Sequence, residues 1–523
     1  MLVDDGVRHV VILGGGSAGW LTASLLAAEH RSRAPDGLRV TLIESPATPP
    51  IGVGEGTWPS MRDTLRRIGL SETALVRDCD AAFKQGSRFD GWIAGAPGAQ
   101  GDRYRHPFSL PRGWGETDLV AGWLQRQGQR PFADVVSAQP ALCEAGLAPK
   151  QFATPEFAAV ANHGYHFDAG KFGLMLRAHA TTALGVRHVS DEMTEVIPHP
   201  DGDIAALRTR AHGDIAGDLF IDCTGLAALL IGRHYGVGLV SHQPVLFNDR
   251  ALAVQVPYDQ ADAPVACETI ATARPAGWIW DIGLPTRRGV GHVFSSAHCS
   301  EDEAQAGLRA HIAATGGPRE LPIEPRLIRY EPGHRQHFWH RNCVAVGLSS
   351  GFIEPLEASA LALVEMSAQA ISDELPATRG AMELVAARFN DAFAYRWGRV
   401  IDFLKLHYVL SRRDDSAYWR EHRDPALWPE RLRELLTLWQ HRAPLRSDFF
   451  RIDEVFPAAS YQYVLCGMGW RPEPTARTRS SAIGQAAQGH FDEVARLTQR
   501  LRAGLPTHRA LLEHIRTRGL PRL

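Results

Sequence analysis

The chain has 523 residues, of which 45% are hydrophobic and 22% charged, and its formal net charge is −2. Such a length and composition predict a globular protein of two or three packed units. The near-zero charge argues against a nucleic-acid binder held by phosphate neutralisation and against a basic membrane-surface protein.

Lysine is scarce. Of the 56 basic residues, four are lysine: Lys84, Lys150, Lys171 and Lys405. A coding bias toward arginine would explain this ratio. Each remaining lysine still raises a question, because an amine can lose its proton or attack an electrophile and a guanidinium cannot.

The seven cysteines are scattered and include no Cys-x-x-Cys pair, which predicts neither a disulfide framework nor a zinc knuckle. The N-terminus lacks a signal-peptide pattern, and no stretch approaches 18 apolar residues. We therefore expect a cytoplasmic protein that has no membrane or nucleic-acid partner and no metal.

The first predicted elements are a strand, a glycine-rich turn and a helix, in that order. The apolar run 9–13 predicts a buried parallel strand, and residues 14–19 fit the pattern G-x-G-x-x-G. A second predicted strand, 39–43, ends at Glu44, whose carboxylate can accept hydrogen bonds from a ribose. This order favours a dinucleotide site over a ligand-free βαβ unit. The chain carries no second such fingerprint, so a built-in nicotinamide domain is not expected.

Two later segments suggest a flavin. Residues 218–225 and 342–351 each read as a strand that enters a turn of small residues, and both resemble the later cofactor segments of FAD enzymes. The cofactor domain is therefore predicted to be discontinuous and to extend to about residue 360.

Three further segments carry a more specific resemblance. Residues 277–285, with Trp278 and Trp280, resemble a W-x-W-x-I-P signature, although two residues separate Ile282 from the proline. Residues 83–92 resemble F-K-x-x-x-x-F-x-x-W. Residues 351–360 resemble G-F-x-E-P-L-E-S-T-G.

Together with a flavin-side strap at 51–59, these motifs resemble the flavin-dependent halogenases of the tryptophan halogenase family, from residue 9 to about 470. The resemblance implies an α/β fold: an FAD-binding Rossmann-like domain of the GR2 flavoprotein type with a mixed sheet, and a largely helical substrate-binding module. We expect the FAD domain in 1–360, with a substrate-side insertion at about 93–155, and the helical module in 361–523.

The resemblance also implies the reaction. Reduced FAD, supplied by a separate flavin reductase that associates transiently, reacts with O2 to a flavin hydroperoxide, which chloride or bromide converts to hypohalous acid. A homodimer is compatible with the family. By resemblance, the FAD-binding residues are Gly14, Gly16, Ser17, Ala18, Gly19, Glu44, Gly54, Glu55, Met193, Leu348 and Leu361.

Lys84 is implied as the group that delivers the halogen, by hydrogen bonding to hypohalous acid or as a haloamine, and arginine would replace it poorly. Glu357 would pair with it, polarise the electrophile or take the ring proton. Ser359 and Ala360 open a predicted helix and are implied to bind the halide through backbone N–H groups. Ala358 stands where the family usually has serine, which removes a hydroxyl group.

On the substrate side, His106 and Phe108 resemble a pair that sandwiches the aromatic ring, and Phe456 falls where enzymes acting on tryptophan have a stacking Trp. The Tyr-Tyr pair that holds the amino-acid end of tryptophan is not visible before Phe456. We therefore predict that free tryptophan is a poor substrate and that indole or another electron-rich aromatic compound is accepted.

Other interpretations remain open on the sequence. Trp278 and Trp280 keep the flavin from hydroxylating substrate directly in the family, yet core packing explains them as well. A flavin-dependent aromatic monooxygenase and a non-catalytic FAD-binding protein are the alternative functions. The run His334, His337, His340 does not have a zinc-ligand spacing. Residues 347–351 fit the hydrolase pattern G-x-S-x-G without an evident Asp and His to follow.

Overall fold

The structure is a computed structural model that describes residues 6–47, 55–95, 102–318, 321, 323–451, 454–476 and 478–522. The backbone divides into two compact units, each assembled from three stretches of chain. The first unit consists of Met1–Asp80, Phe167–His242 and Tyr330–Trp397, and the second of Ala81–His166, Gln243–Arg329 and Gly398–Leu523. The division predicted from the sequence, with a discontinuous FAD-binding domain in 1–360 and a helical substrate module in 361–523, stays a prediction.

The first unit is built on a six-stranded mixed sheet. Its central strand, His9–Leu13, pairs in parallel with a strand on either side, and its four apolar residues are buried. The sheet order is Trp339–His340, Cys343–Ala345, Leu219–Asp222, His9–Leu13, Arg39–Glu44 and Arg187–Ser190. Only the two-residue edge strand runs antiparallel to its neighbour among these described strands.

Smaller sheets and five α-helices complete the described part of the first unit. The antiparallel strands are Met193–Pro198, Ile204–Thr209 and Gly213–Ala216 in one sheet, and Leu239–Ser241, Gly333–Arg335 and Gly351–Phe352 in another. The helices are Ser17–Glu29, Met61–Ile68, Glu72–Asp78, Ala169–Thr182 and Ser359–Asp373, and Glu55–Gly56 is a short strand. The helix Arg379–Val409 contributes residues to both units.

The second unit contains a seven-stranded sheet. Its order is Arg326–Arg329, Arg250–Pro257, Arg287–Phe294, Gly277–Gly283, Thr269–Arg274, Gly86–Asp90 and Arg103–Pro107. Neighbours are antiparallel, except that Thr269–Arg274 runs parallel to Gly86–Asp90. The helix Glu301–Ala314 covers one face through Leu308 and Ile312.

The helices account for much of the remainder of the second unit. They are Leu119–Arg126, Phe132–Val136, Gln139–Glu144, Ala417–His422, Glu430–Trp439, Ala458–Gly467, Ser481–Gly504 and His508–Arg518. The strand Ala82–Lys84 pairs antiparallel with residues 164–166 of the strand Gly164–Phe167. No helix in the described part of the chain is both long enough and apolar enough to cross a membrane. The mixed α/β class predicted from the sequence is confirmed.

Candidate active-site residues in each unit

The glycine-rich turn leads directly into the helix Ser17–Glu29, and no side chain caps the first backbone N–H groups of that helix. A Cβ atom on Gly19 would lie 1.9 Å from the carbonyl oxygen of Gly14, and one on Gly14 would lie 2.3 Å from the carbonyl oxygen of Cys223. These glycines are required by packing. Gly16 differs, because nothing lies within 4 Å of its Cβ position. The open space beside a helix N-terminus fits a pyrophosphate group.

The carboxylate of Glu44 lies against the same turn. A Cβ atom on Gly15 would approach the Glu44 Cδ to 2.2 Å. Glu44 Oε2 is 3.1 Å from His188 Nε2 and 3.7 Å from an Arg177 guanidinium nitrogen. The group is therefore held at the end of the second strand, where a ribose could be bound. The pyrophosphate space and this carboxylate together fit an adenine dinucleotide such as FAD.

The late segments of the first unit pack onto its first helix. Gly347 has a positive φ of 74°, and its Cβ position is 2.8 Å from the Ala18 Cβ, so the turn carrying Leu348 lies close to that helix. Asp222 is fully buried and accepts hydrogen bonds from the chain that follows it, including the N–H groups of Leu230 and Ile231 at 2.8 and 2.9 Å. Asp222 therefore has a structural role in ordering this turn.

The other predicted cofactor residues are distributed over the first unit. Met193 begins a strand and packs against the core cluster beneath the small sheet. Leu361 is buried in the helix Ser359–Asp373. Burial raises the pKa of the half-buried Glu55 to about 7. Gly54, like residues 51–53 of the predicted strap, lies outside the described residues.

Glu357 immediately precedes a sharp backbone turn. Its side chain is buried, and its backbone carbonyl accepts a 2.8 Å hydrogen bond from the indole Nε1 of Trp58. Ala358 has a left-handed conformation with φ 55°, which is uncommon for a residue other than glycine. Ser359 begins the helix, and no side chain caps it. The backbone N–H groups of Ser359 and Ala360 can therefore receive an anion.

A buried carboxylate on that helix was not predicted from the sequence. Glu365 accepts hydrogen bonds from Ser60 Oγ at 3.1 Å and from Thr64 Oγ1 at 2.5 Å. Burial raises its pKa to about 7, against the lowering effect of the two hydroxyl groups. A glutamate within the apolar run 361–368 is the sequence signal that could have indicated it.

In the second unit, Lys84 is fully buried at the end of the strand Ala82–Lys84. Its Nζ lies 5.4 Å from the ring centroid of Phe108. The N–H of Phe108 donates to the carbonyl oxygen of Gln85 at 3.1 Å, which fixes Phe108 beside the lysine strand. The structure thus brings together the predicted delivery group and one predicted substrate residue.

The other two predicted substrate residues share an aromatic neighbour. The ring of His106 lies 5.7 Å from that of Phe403, and Phe456 stacks on the same ring at 3.9 Å with an interplanar angle of 16°. His106 Nε2 is 2.9 Å from Ser460 Oγ. These contacts form an aromatic wall within the second unit, made of His106, Phe403 and Phe456.

Trp278 and Trp280 lie in the buried strand Gly277–Gly283, with ring centroids 6.4 Å apart. The ring of Trp280 covers Gly291 on the neighbouring strand, where a Cβ atom would lie 2.1 Å from the indole Cζ2. Trp278 contacts Trp92 at 6.5 Å. Both side chains therefore belong to the packing of the seven-stranded sheet, whatever further role they have.

Two alternative sites have little structural support. Ser349, the serine of the G-x-S-x-G pattern, is buried, and its hydroxyl donates to the carbonyl oxygens of Asp222 and Val346. The ring of His334 contacts those of His242 and Trp397 in tilted arrangements, with centroids 5.0 and 5.5 Å away. Within the described ranges, no three His, Cys, Asp or Glu side chains group in a way that could hold a metal ion.

Several known proteins that resemble this chain over most of its length are tryptophan halogenases. A family model described as tryptophan halogenase matches residues 9–482. Tryptophan 6-halogenase SttH from Streptomyces toxytricini is 34% identical over 500 residues, covering 91% of this chain and 92% of that protein. A solved tryptophan halogenase structure from Shewanella frigidimarina is 46% identical with a TM-score of 0.95, and the match covers 100% of both chains.

A third relative is named for its cofactor dependence. BrvH, a flavin-dependent halogenase from Brevundimonas sp. BAL3, is 34% identical with a TM-score of 0.84, and the match covers 98% of this chain and 100% of BrvH. The family model spans more than half of the chain, and the relatives are similar over nearly their full lengths. The chain therefore belongs to the tryptophan halogenase family and is a flavin-dependent halogenase.

Proposed function

We propose that this protein halogenates an electron-rich aromatic compound such as indole, with chloride or bromide, in a reaction that requires FADH2 and O2. The observation that carries the proposal is the fully buried Lys84 beside the ring of Phe108. Burying an ammonium group is costly. Lys150 and Lys405 are also fully buried near phenylalanine rings, and their Nζ atoms donate to the carbonyl oxygens of Pro155 and Val245. The burial of Lys84 therefore supports a chemical role together with its place in the segment 83–92, which resembles F-K-x-x-x-x-F-x-x-W.

The first unit contains the residues that would hold the cofactor and the halide. The N-terminus of the helix Ser17–Glu29 would receive the pyrophosphate over Gly16, and Glu44 would accept hydrogen bonds from the ribose. When bound, reduced FAD would supply two electrons and O2 would be the oxidant, so that one oxygen atom leaves as water and the other is transferred to the halide as hypohalous acid. The N–H groups of Ser359 and Ala360 would bind the halide.

Lys84 would direct the electrophile to the substrate. Its ammonium can donate a hydrogen bond to the oxygen of hypohalous acid, and its neutral amine can accept the halogen as a haloamine. Arginine offers no comparable nucleophile. The carboxylate of Glu357 would take the proton that the ring loses when the carbon–halogen bond has formed. The buried surroundings of Lys84 would keep water away from the electrophile.

The substrate would lie against the aromatic wall of His106, Phe403 and Phe456, with Phe108 beside the lysine. The region before Phe456 has Phe449 and Phe450 in place of a Tyr-Tyr pair. Apolar rings give no hydrogen bonds to an amino-acid group. We therefore propose that indole is preferred to free tryptophan.

The decisive experiment compares the wild-type protein with the Lys84→Ala and Lys84→Arg variants. Each is supplied with a flavin reductase, NADH, FAD, O2 and indole, with chloride and bromide in competition, and products are read by mass spectrometry. We expect halide-dependent product from the wild type and a loss of about 100-fold or more in both variants. Lys171→Ala, which changes an exposed lysine, is the matched control and should retain activity.

Three outcomes would contradict the proposal. Halogenation that persists in Lys84→Ala would remove the assigned role of that residue. An oxygenated product from the wild type would favour a monooxygenase. Faster turnover of tryptophan than of indole would contradict the substrate preference.

A further inference from the structure

A histidine lies on the edge of the strand that carries Lys84. The N–H of Phe83 donates a 3.0 Å hydrogen bond to Nε2 of His508, which is 425 positions later in the chain. His508 is 1% exposed and is the first residue of the helix His508–Arg518. His508 Nε2 therefore lies where a backbone carbonyl oxygen of an additional β-strand would accept this hydrogen bond.

The hydrogen bonds of His508 determine its tautomer. A backbone N–H can only donate, so Nε2 of His508 must carry the lone pair. The proton of the neutral ring is then on Nδ1, which lies 3.2 Å from the carbonyl oxygen of Val265 and 3.6 Å from Cys267 Sγ. Burial lowers the pKa of His508 to about 4, so the ring is neutral at pH 7. Because both nitrogens have partners, the orientation of the ring is fixed.

Gln85, the residue after Lys84, is also restrained by a hydrogen bond. The N–H of Gln85 donates to the carbonyl oxygen of Cys267 at 2.7 Å, and the N–H of His508 donates to the carbonyl oxygen of Gly146 at 2.8 Å. Hydrogen bonds on the residues before and after Lys84 therefore restrain its Cα atom. The restraint on Phe83 depends on a single side chain, that of His508.

We propose that His508 is a positioning residue for halogen transfer: by accepting the Phe83 N–H, it fixes the backbone from which the Lys84 side chain extends. The inference rests on the proposed function of Lys84. A displacement of about 1 Å at a reacting group can lower a rate by about 100-fold, so this restraint has a measurable effect on catalysis.

The test uses His508→Phe, which removes the acceptor, and His508→Gln, whose side-chain oxygen can reach the position of Nε2. Ile515→Ala is the control, because it creates a cavity under the same helix without touching the hydrogen bond. Two quantities are measured on the full-length protein. The first is hydrogen exchange at the Phe83 amide. The second is steady-state halogenation of indole, together with the fraction of oxidised FADH2 that appears as product.

We expect the Phe83 amide to exchange at least about 10-fold faster in His508→Phe, with kcat and the product fraction lowered about 10-fold and KM for indole within about twofold. His508→Gln should restore most of both quantities. Ile515→Ala should lose stability but keep both the protection and the product fraction.

Unchanged exchange at Phe83 in His508→Phe would overturn the inference. So would an equal loss of product fraction in Ile515→Ala, since the effect would then be one of stability alone. A wild-type protein that gives no halogenated product would overturn the proposed function instead, while the exchange result would still decide whether His508 fixes the strand.

Discussion

The indole Nε1 of Trp58 donates a 2.8 Å hydrogen bond to the backbone carbonyl of Glu357, which lies 299 positions away in the sequence. The bond fixes the chain one residue before the left-handed Ala358, where the backbone turns into the helix Ser359–Asp373. Trp58 therefore determines where the Glu357 side chain begins and where the helix N-terminus lies.

Replacing Trp58 with phenylalanine keeps an aromatic ring but removes the donor. We expect the free energy of unfolding to fall by about 1 kcal/mol and kcat to fall about 10-fold, because the turn that carries Glu357 loses a restraint. Urea unfolding and indole turnover measure the two effects. Trp428→Phe is the control, since Trp428 donates to the carbonyl of His422 at 3.1 Å in the second unit. Equal activity losses in the two variants would contradict a specific role for Trp58.

Substitutions at two glycines of the first turn should separate the effect of packing on stability from the effect on cofactor binding. A methyl group on Gly19 would collide with the carbonyl of Gly14, so Gly19→Ala should cost about 1–3 kcal/mol of stability. Gly16 has open space and a φ of −74°, so Gly16→Ala should unfold like the wild type. It should nevertheless bind FAD about 10-fold more weakly, because the methyl group occupies the proposed pyrophosphate space. Thermal unfolding without flavin and a flavin fluorescence titration provide the measurements. Undiminished affinity for FAD in Gly16→Ala would place the pyrophosphate elsewhere.

Glu365 should make stability depend on pH. Its folded-state pKa of about 7 lies above the ordinary value of 4.5, so the folded protein holds this proton more tightly than the unfolded chain does. The stabilisation is complete below pH 4.5 and is lost as the pH rises through 7, and a shift of this size corresponds to about 3 kcal/mol.

The Glu365→Gln variant cannot lose a proton there. Relative to the wild type, it should therefore gain stability between pH 5 and pH 8, by about 1–3 kcal/mol in urea unfolding. Glu383→Gln, which changes an exposed glutamate on the helix Arg379–Val409, should follow the pH dependence of the wild type. If the stability of Glu365→Gln has the same pH dependence as that of the wild type, Glu365 is not the group that carries the extra proton of the folded state.

Ser460 should act on substrate binding through His106. Its hydroxyl lies 2.9 Å from His106 Nε2, and Ser460→Ala removes this restraint on the ring that lies beside Phe403. We expect KM for indole to rise about fivefold with kcat within about twofold, because a binding surface is changed rather than the reacting groups. Ser411→Ala removes a 2.7 Å hydrogen bond to the Trp92 carbonyl in the same unit and serves as the control. A fall in kcat at constant KM would contradict this interpretation of His106.

Local sequence patterns predicted the elements that depend on local physics. The strand, glycine turn and helix at 9–29 follow from apolar β-branched residues and from glycines that permit close backbone approach, and the structure confirms them. Pro376 in the sequence predicts a helix break, and one helix ends at Asp373 while the next begins at Arg379. Apolar residues at i, i+3 and i+4 spacing in 388–393 and 400–404 predict helix, and both segments lie in that second helix, Arg379–Val409.

Such local patterns could not predict the contacts between residues that are far apart in the sequence. Nothing in the sequence near Phe83 indicates that its N–H will meet His508, because the two are brought together only by folding of the second unit. The same holds for Trp58 with Glu357 and for Glu365 with Thr64. Lys84 and Phe108 were predicted as site residues only through the family resemblance, and the structure supplies their proximity.

The burial of lysine has a practical consequence for handling this protein. All four lysines lie in the described part of the chain. Lys84, Lys150 and Lys405 are 0% exposed, whereas the side chain of Lys171 is 49% exposed and pairs with Asp80. Amine-directed coupling to a resin or a dye under native conditions therefore reaches one lysine side chain, on the helix Ala169–Thr182. Coupling through a lysine side chain would therefore attach the protein at Lys171 and leave the buried amine of Lys84 unmodified.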